Sequence, residues 1–222
     1  MVLTGCVSTA DPASGSDDTD SGRDDDTDGS EPTDTTDDST GELPRVDDPP
    51  YEITQPECDE DSSRNPLWLC ENMPAEPSIG FEQVESSTHL FADEGLRHDE
   101  QESDDEYYAT FLTEPDDLDR LHEEASEAVV EVVEGTDFDT EAVLVAQTGW
   151  GSGSVTPHLK RIEETNDGIH AFGCSRRPCI VTSDVTVRSV ATRFERPDSL
   201  DDSVVSVTVD PETRVTFRVS DR

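Results

Sequence analysis

The sequence predicts an α+β domain, a mostly antiparallel β-sheet or barrel-like sandwich with one amphipathic helix, preceded by a disordered acidic tether. Three observations predict it. From residue 142 onward, apolar and alternating runs of strand length follow one another, separated by turn residues. Only the stretch after Thr113 repeats its apolar residues at helical spacing. Residues 7–48 alternate aspartate clusters such as Asp24-Asp25-Asp26 with Ser, Thr, Gly and Pro, leaving almost nothing apolar to bury.

Leu3-Thr4-Gly5-Cys6 resembles a lipobox, the signal at which a lipoprotein precursor is cut and its cysteine lipidated. Residues 1–6 are thus expected to be the remnant of a signal peptide, and Cys6 the lipidation site. Only Met1-Val2 precede Leu3, whereas a secretory signal needs a basic n-region and an apolar h-region. The reading therefore requires a start upstream of Met1, and the alternative is an ordinary thiol at Cys6. No segment reaches the ~18 consecutive apolar residues of a transmembrane helix, so a membrane would be reached through a lipid on Cys6. Residues 7–48 form the linker, which spans roughly 35 Å as a flexible chain before self-repulsion extends it. Its serines and threonines are candidate O-glycan acceptors, while no Asn-x-Ser/Thr sequon occurs in the chain.

Residues 49–78 are a Pro-rich preface in which Pro49-Pro50, Pro56, Pro66, Pro74 and Pro77 forbid a long helix. Its one apolar knot, Leu67-Trp68-Leu69-Cys70, is expected to pack on the globular domain, residues 79–222. There Phe81–Val84 reads as a strand, His89–Phe91 as a second, Asp99–Glu106 as an exposed acidic loop and Tyr107–Leu112 as a strand. Thr113 then caps a helix, with Pro115 in its first turn and Asp116 closing a capping box. Leu118, Leu121, Ala125, Ala128, Val129 and Val132 lay one apolar stripe on it as far as Gly135.

Ala142–Gln147 is continuously apolar, as a central strand covered on both faces would be. Val155–Glu163 and Ile169–Cys174 form a hairpin about Asn166-Asp167-Gly168. Cys179–Thr182 is expected to continue the sheet. Val185–Phe194, Val204–Val209 and Arg214–Val219 alternate as half-buried antiparallel strands do, with the last turn at Pro211-Glu212.

Fifty-five acidic residues stand against fifteen basic ones, a net charge of −40, and Lys160 is the only lysine. Such an excess strains a compact fold in dilute buffer. At ~1 M salt the Debye length falls to ~3 Å and most of the repulsion is screened. Acid excess with almost no lysine resembles the proteins of extreme halophiles. It also excludes nucleic acid as a partner, since no basic face meets the phosphates. With Cys6 set aside, Cys58, Cys70, Cys174 and Cys179 are an even set expected to form structural disulfides. The local pairing Cys58–Cys70 and Cys174–Cys179 is preferred, because each closes a short Pro-containing loop. The spacings lack the paired CxxC of structural zinc sites, and no CxxC serves redox chemistry. Neither a cofactor nor a metal is expected.

Two motifs are candidate binding elements. Gly149-Trp150-Gly151-Ser152-Gly153-Ser154 sits between predicted strands, and its glycines can expose backbone amides to an anion. Trp150 would supply an apolar face or, alternatively, a core plug. The stretch is neither a nucleophile elbow nor a dinucleotide fingerprint, since Ser152 is flanked by glycines and a strand follows. A trio of Ser152 or Ser154 with His158 and Asp137 can be drawn, but among so many acids such trios arise by chance. Arg176-Arg177, between two cysteines on an anionic chain, is a positive focus for a carboxylate-bearing partner or one half of an internal salt bridge.

From Asp137 to Phe194 the layout runs Asp-Phe-Asp, apolar strand, Gly/Ser loop, strand, Asn-Asp-Gly hairpin, cysteine-bearing turn and strand. This resembles the C-terminal domain of the PrcB-like family, secreted or lipid-anchored accessory proteins of a surface protease. Gly149–Ser154 stands where that family carries Thr-Gly-Gly-Tyr. The chain is also similar to a group of haloarchaeal lipoproteins. The resemblance implies an accessory module rather than an enzyme, and it carries no catalytic residue over. The expected function is a non-catalytic, lipid-anchored domain on the extracellular face of the cell membrane, engaging another surface protein. Trp150, Ser152, Ser154, Arg176 and Arg177 would form its contact surface. A lipoprotein that binds a metal or small ligand is the alternative, followed by a small serine hydrolase.

Overall fold

Nine strands in two sheets, packed face to face, make the core of the computed structural model, which describes residues 45–58, 65–87, 90–97 and 106–220. The strands are β1 Arg45–Asp47, β2 Phe81–Ser86, β3 Tyr107–Leu112, β4 Glu141–Gly151, β5 Thr156–Glu164, β6 Ile169–Arg176, β7 Thr186–Glu195, β8 Val204–Asp210 and β9 Thr213–Arg218. One sheet has the order β1-β9-β8-β6-β5 and the other β2-β7-β4-β3. Every pair is antiparallel except β6 with β8. The described residues fall within one unit, Gly41–Arg222. Cys6, residues 7–44 of the linker, His89 and residues 99–105 of the acidic loop lie outside the described residues.

The inner faces of both sheets meet in one apolar cluster that includes Leu144, Leu159, Ile162, Ile169, Phe194 and Val205, all at most 1% exposed. Alternation along each strand sorts the rest outward. From the four-stranded sheet, Leu112, Val143, Val145 and Ala191 face Val129 and Val133 of the helical layer. The run Ala142–Ala146 is therefore buried on both faces, as its unbroken apolarity requires. From the five-stranded sheet, Phe172 and Cys174 face Trp68, Leu69 and Met73 of the preface.

The two open sides of the sandwich are tied rather than left as bare edges. On one side the Gln83 side chain of β2 mimics a neighbouring strand. Its Oε1 accepts from Leu159 N–H at 2.9 Å and its Nε2 donates to Leu159 O at 2.9 Å, while Ile79 N–H donates to Ile162 O at 2.8 Å. On the other side Ser220 N–H reaches Ala109 O at 2.8 Å, beside a Thr110–Ser220 bridge. Such ties blunt the edges against pairing with other chains. The expected barrel-like sandwich is this closure.

Four expectations are corrected. The linker was to run to residue 48, but Arg45–Asp47 pair with Arg214–Thr216 as an edge strand. Arg214 Nε and Nη2 hold Asp47 at 2.9 and 3.0 Å, a forked pair that lets a three-residue strand dock. Cys179–Thr182 does not continue the sheet and is loop. The hairpin loop between β5 and β6 closes through Thr165 N–H to Gly168 O at 2.9 Å. Gly168 is required there by space, since a Cβ would come 3.0 Å from the Ser203 nitrogen.

The single helix expected from Thr113 to Gly135 is two pieces. A 3-10 helix spans Pro115–Arg120, capped reciprocally by Glu114 and Asp117 rather than by Thr113 and Asp116. The helix α1 spans Glu127–Glu134, and Gly135 is its C-cap. Between them Leu121 is extended and bridges Phe91, and His122 N–H donates to Leu90 O at 2.9 Å. Tertiary pairing with residues 90–92 replaces the helical hydrogen bonds of that turn. The apolar period survives the break, because Leu118, Leu121, Ala125, Val129 and Val132 still cover the same sheet face, while Ala128 turns out to solvent.

The fourth correction is the cystine pairing. The bridges are Cys58–Cys179 and Cys70–Cys174, each with Cα atoms 5.6 Å apart. Cys174 lies within β6, which stays extended to Arg176. A strand rising ~3.3 Å per residue carries Cys179 away from Cys174, beyond the Cα separation a disulfide spans. Cys174 points instead at Cys70 in the 3-10 turn Trp68–Cys70, so both bridges clamp the preface onto the sheet.

Candidate functional site

The β4–β5 turn and the β6–β7 loop lie against one another, which brings together the two motifs singled out in the sequence. β4 runs on through Trp150 and Gly151, so only Ser152–Val155 is turn. Ser152 Oγ lies 2.7 Å from Ser154 Oγ and 2.8 Å from Thr182 Oγ1. Thr182 N–H donates to Ser154 Oγ at 3.1 Å, and Gly153 N–H to Asp184 Oδ2 at 3.2 Å. Beneath them Arg188, 5% exposed, donates through Nη1 to Ser152 O at 2.7 Å. Gly151 leaves room for that guanidinium, which a Cβ would approach to 3.0 Å.

These partners decide the chemistry of the serines. Both hydroxyls are spent on joining two loops, and neither has a histidine partner among the described residues. His158 faces another way, with Nδ1 3.2 Å from Glu85 Oε1 and Nε2 3.4 Å from Gln83 Nε2. Asp137 lies before β4, where its backbone N–H donates to Glu141. The structure does not assemble the trio. Trp150 is half-buried, and its indole N–H is buried without a partner among the described residues, so it behaves as a plug under the turn.

The two arginines part company. Arg176 Nη1 donates to Glu85 Oε2 at 2.9 Å, the internal salt bridge that was one reading of the pair. Glu85 also accepts from Thr156 Oγ1 at 2.6 Å. Burial alone would raise the Glu85 carboxyl, but hydrogen bonds from His158, Thr156 and Arg176 outweigh it and hold the pKa at about 2. Among the described residues Arg177 is anchored only by its backbone, whose N–H donates to Pro66 O at 2.6 Å and whose O accepts from the Trp68 indole at 3.1 Å. Its side chain is exposed.

The residues the motif reading missed are apolar. Ile180, Val181 and Val185 are 74%, 46% and 45% exposed on the β6–β7 loop. Scattered exposed aliphatics are ordinary. Three within six residues, following Arg176 and Arg177 in sequence, concentrate exposed aliphatics on one loop of a strongly acidic chain. The sequence signal is Ile180-Val181, which by itself resembles a strand fragment. Cys58–Cys179 and the Thr182–Ser154 bond fix the loop's shape in advance.

A concavity of about 260 Å³ separates the preface from the five-stranded sheet, lined by Tyr51, Met73, Phe172, Arg161 and Arg214 among others. Both guanidiniums are engaged, Arg161 with Glu163 and Arg214 with Asp47. The neighbouring His170 stacks on Phe172, and its Nε2 lies 2.8 Å from Ser206 Oγ. Burial, then the charges of Arg214 and Arg161, push the His170 pKa down to about 4.

These shifts predict an acid response in two windows. His170 is neutral when folded but takes a proton below ~6.5 when unfolded, so stability falls from pH ~6.5 to about 4. Glu85, with its folded pKa depressed, contributes stability above ~4.5 that is lost toward about 2. Each slope is at most ~1.4 kcal/mol per pH unit. Thermal unfolding of His170→Gln against pH should lose the upper decline and keep the lower one. An unchanged upper decline would show that His170 is not its source.

Among the described residues no group of His, Cys, Asp or Glu is placed to hold a metal ion, and no helix is long and apolar enough to cross a membrane. Compared with known protein families, curated proteins and solved structures, the chain matches none.

Proposed function

We propose that the chain is a non-catalytic accessory domain, held by a lipid on Cys6 at the extracellular face of the membrane, that engages another surface protein through the β4–β5 turn and the β6–β7 loop. The observation that carries this reading is the apolar trio Ile180, Val181 and Val185 beside Arg176-Arg177 on a cystine-anchored loop. Interfaces draw their affinity from apolar anchors and arginines that are already ordered before binding. Ser152 and Ser154, tied to Thr182, serve this surface as braces. The lipobox, the acidic linker and the PrcB-like layout support the anchored, accessory character.

The test is cross-linking pull-down from native-host membranes at high salt, comparing wild type with Cys6→Ser and with Ile180→Asp/Val181→Asp. A specific protein should be recovered with wild type. The loop variant, altered only at exposed positions, should lose it while keeping the wild-type circular dichroism. Cys6→Ser should leave the membrane fraction. Equal recovery with the loop variant would sink the surface assignment. Membrane retention without a specific partner would move the assignment to a small-ligand lipoprotein.

A further inference from the structure

Beside the exposed loop lies a concavity of about 190 Å³, lined by Pro56, Trp68, Arg177, Pro178 and Val181 together with the Cys58–Cys179 bridge. Its size decides what it can take. Small-molecule sites run to roughly 300–1,000 Å³. This one falls below that range, closer to the scale of a single side chain. Its walls are an indole, two prolines, a valine, a cystine and Gln55, and its charged group is Arg177. Nothing among the described residues pairs with that guanidinium, whereas Arg176 is held by Glu85 and Arg188 lies buried under the β4–β5 turn.

We propose that this concavity is a socket for one apolar side chain of an extended acidic segment of the partner, whose adjacent carboxylate pairs with Arg177. The proposal rests on the partner surface argued above and names what that surface reads. Charge complementarity selects the acidic segment. Over most of this surface an acidic chain meets acids and is repelled. Among the described cations that are not buried and have no carboxylate partner, Lys160, Arg177 and Arg196, it is Arg177 that lines this concavity. In concentrated salt the attraction acts only at contact, because the Debye length is ~3 Å at 1 M. The carboxylate must therefore neighbour the anchor in sequence, which makes the anchor and the charge one epitope. The exposed Ile180 and Val181 flank the socket side on which the segment continues.

The experiment uses the full chain as Cys6→Ser, labelled with nitrogen-15, in about 1 M salt. Three capped peptides are titrated: Gly-Asp-Leu-Asp-Gly, the same with Asn for Asp, and the same with Gly for Leu. The Trp68 indole N–H, bonded to Arg177 O, reports the socket, and the Trp150 indole is the internal control. The Asp-Leu-Asp peptide should shift Trp68 with an affinity on the order of millimolar. The other two peptides should bind roughly tenfold more weakly. Arg177→Gln should bind the Asp and Asn peptides alike with its spectrum otherwise intact.

No Trp68 shift, equal binding of Asp and Asn peptides by wild type, or a preference that survives Arg177→Gln would each overturn the socket. If the peptides leave Trp68 unmoved while the chain sediments with anionic vesicles and Val181→Asp abolishes it, the loop docks on lipid and the proposal fails. Loss of pull-down in the loop variant with an unmoved Trp68 overturns the socket alone. Peptide binding with an undiminished pull-down overturns the partner surface alone.

Discussion

Removal of both cystines should leave the domain unfolded, and removal of either alone should cost about 3 kcal/mol. The two bridges are nested, Cys70–Cys174 closing a separation of 104 residues and Cys58–Cys179 one of 121. In the chain-entropy account a loop of about 100 residues is worth ~4.7 kcal/mol and one of about 15 residues ~3 kcal/mol. Whichever bridge forms first closes the large loop. The second closes only the difference, about 17 residues. The two together are therefore worth roughly 7–8 kcal/mol, half or more of the 5–15 kcal/mol that holds a typical domain. The inner bridge should cost somewhat more than the outer, because Cys70 and Cys174 are at most 1% exposed and leave a cavity under Trp68. Denaturant midpoints of Cys58→Ala/Cys179→Ala, Cys70→Ala/Cys174→Ala and the quadruple variant measure it. A quadruple loss equal to the sum of the two singles would refute the nested account.

The same bridges show where the sequence was legible and where it was not. Strand positions were readable because burial on one face imposes a period of two. β7, β8 and β9 fall within a residue or so of their alternating runs. The doubly covered β4 was readable from its missing polar positions. Cystine pairing was not, because loop length favours near neighbours while strand direction decides, and Cys174 faces away from Cys179 along an extended backbone. The helix was half legible. Its apolar stripe specifies which face meets the sheet, but not whether the backbone between contacts is helical. At Leu121 a bridge to Phe91 makes it extended. The candidate surface divides in the same way. Arg177 and the serine turn were visible as residue types, while the ties of that turn to Thr182 join two separate loops and follow from the fold.

The node that holds the broken helix carries the second large effect. Arg120 is 18% exposed in its side chain, and its Nε and Nη2 grip Glu94 at 2.6 and 2.9 Å. Its Nη1 donates to Asp117 Oδ1 at 3.0 Å and to Phe111 O at 2.8 Å, and its Nη2 to Thr110 Oγ1 at 2.9 Å. Asp117, with no exposed surface, also accepts from the backbone N–H groups of Thr113 and Glu114 at 2.6 and 3.1 Å. One planar cation thus ties β3, the 3-10 helix and residue 94 together. Arg120→Ala strips Asp117 of its counter-charge, and breaking a buried pair from one side costs about 3–5 kcal/mol. Arg120→Lys should recover little, since a point charge cannot reach five acceptors fixed in a fork's geometry. Asp117→Ala should cost less, about 2 kcal/mol, because Arg120 keeps Glu94 and the loss is mainly of two backbone caps. Urea midpoints give the order, and an Arg120→Lys variant within ~1 kcal/mol of wild type would show that charge rather than geometry holds the node. Because the node joins β3 to the helical side, away from Ser152, Thr182 and Arg177, the folded fraction of Arg120→Ala should still capture the partner. Stability and recognition in this chain would then be lost by different residues.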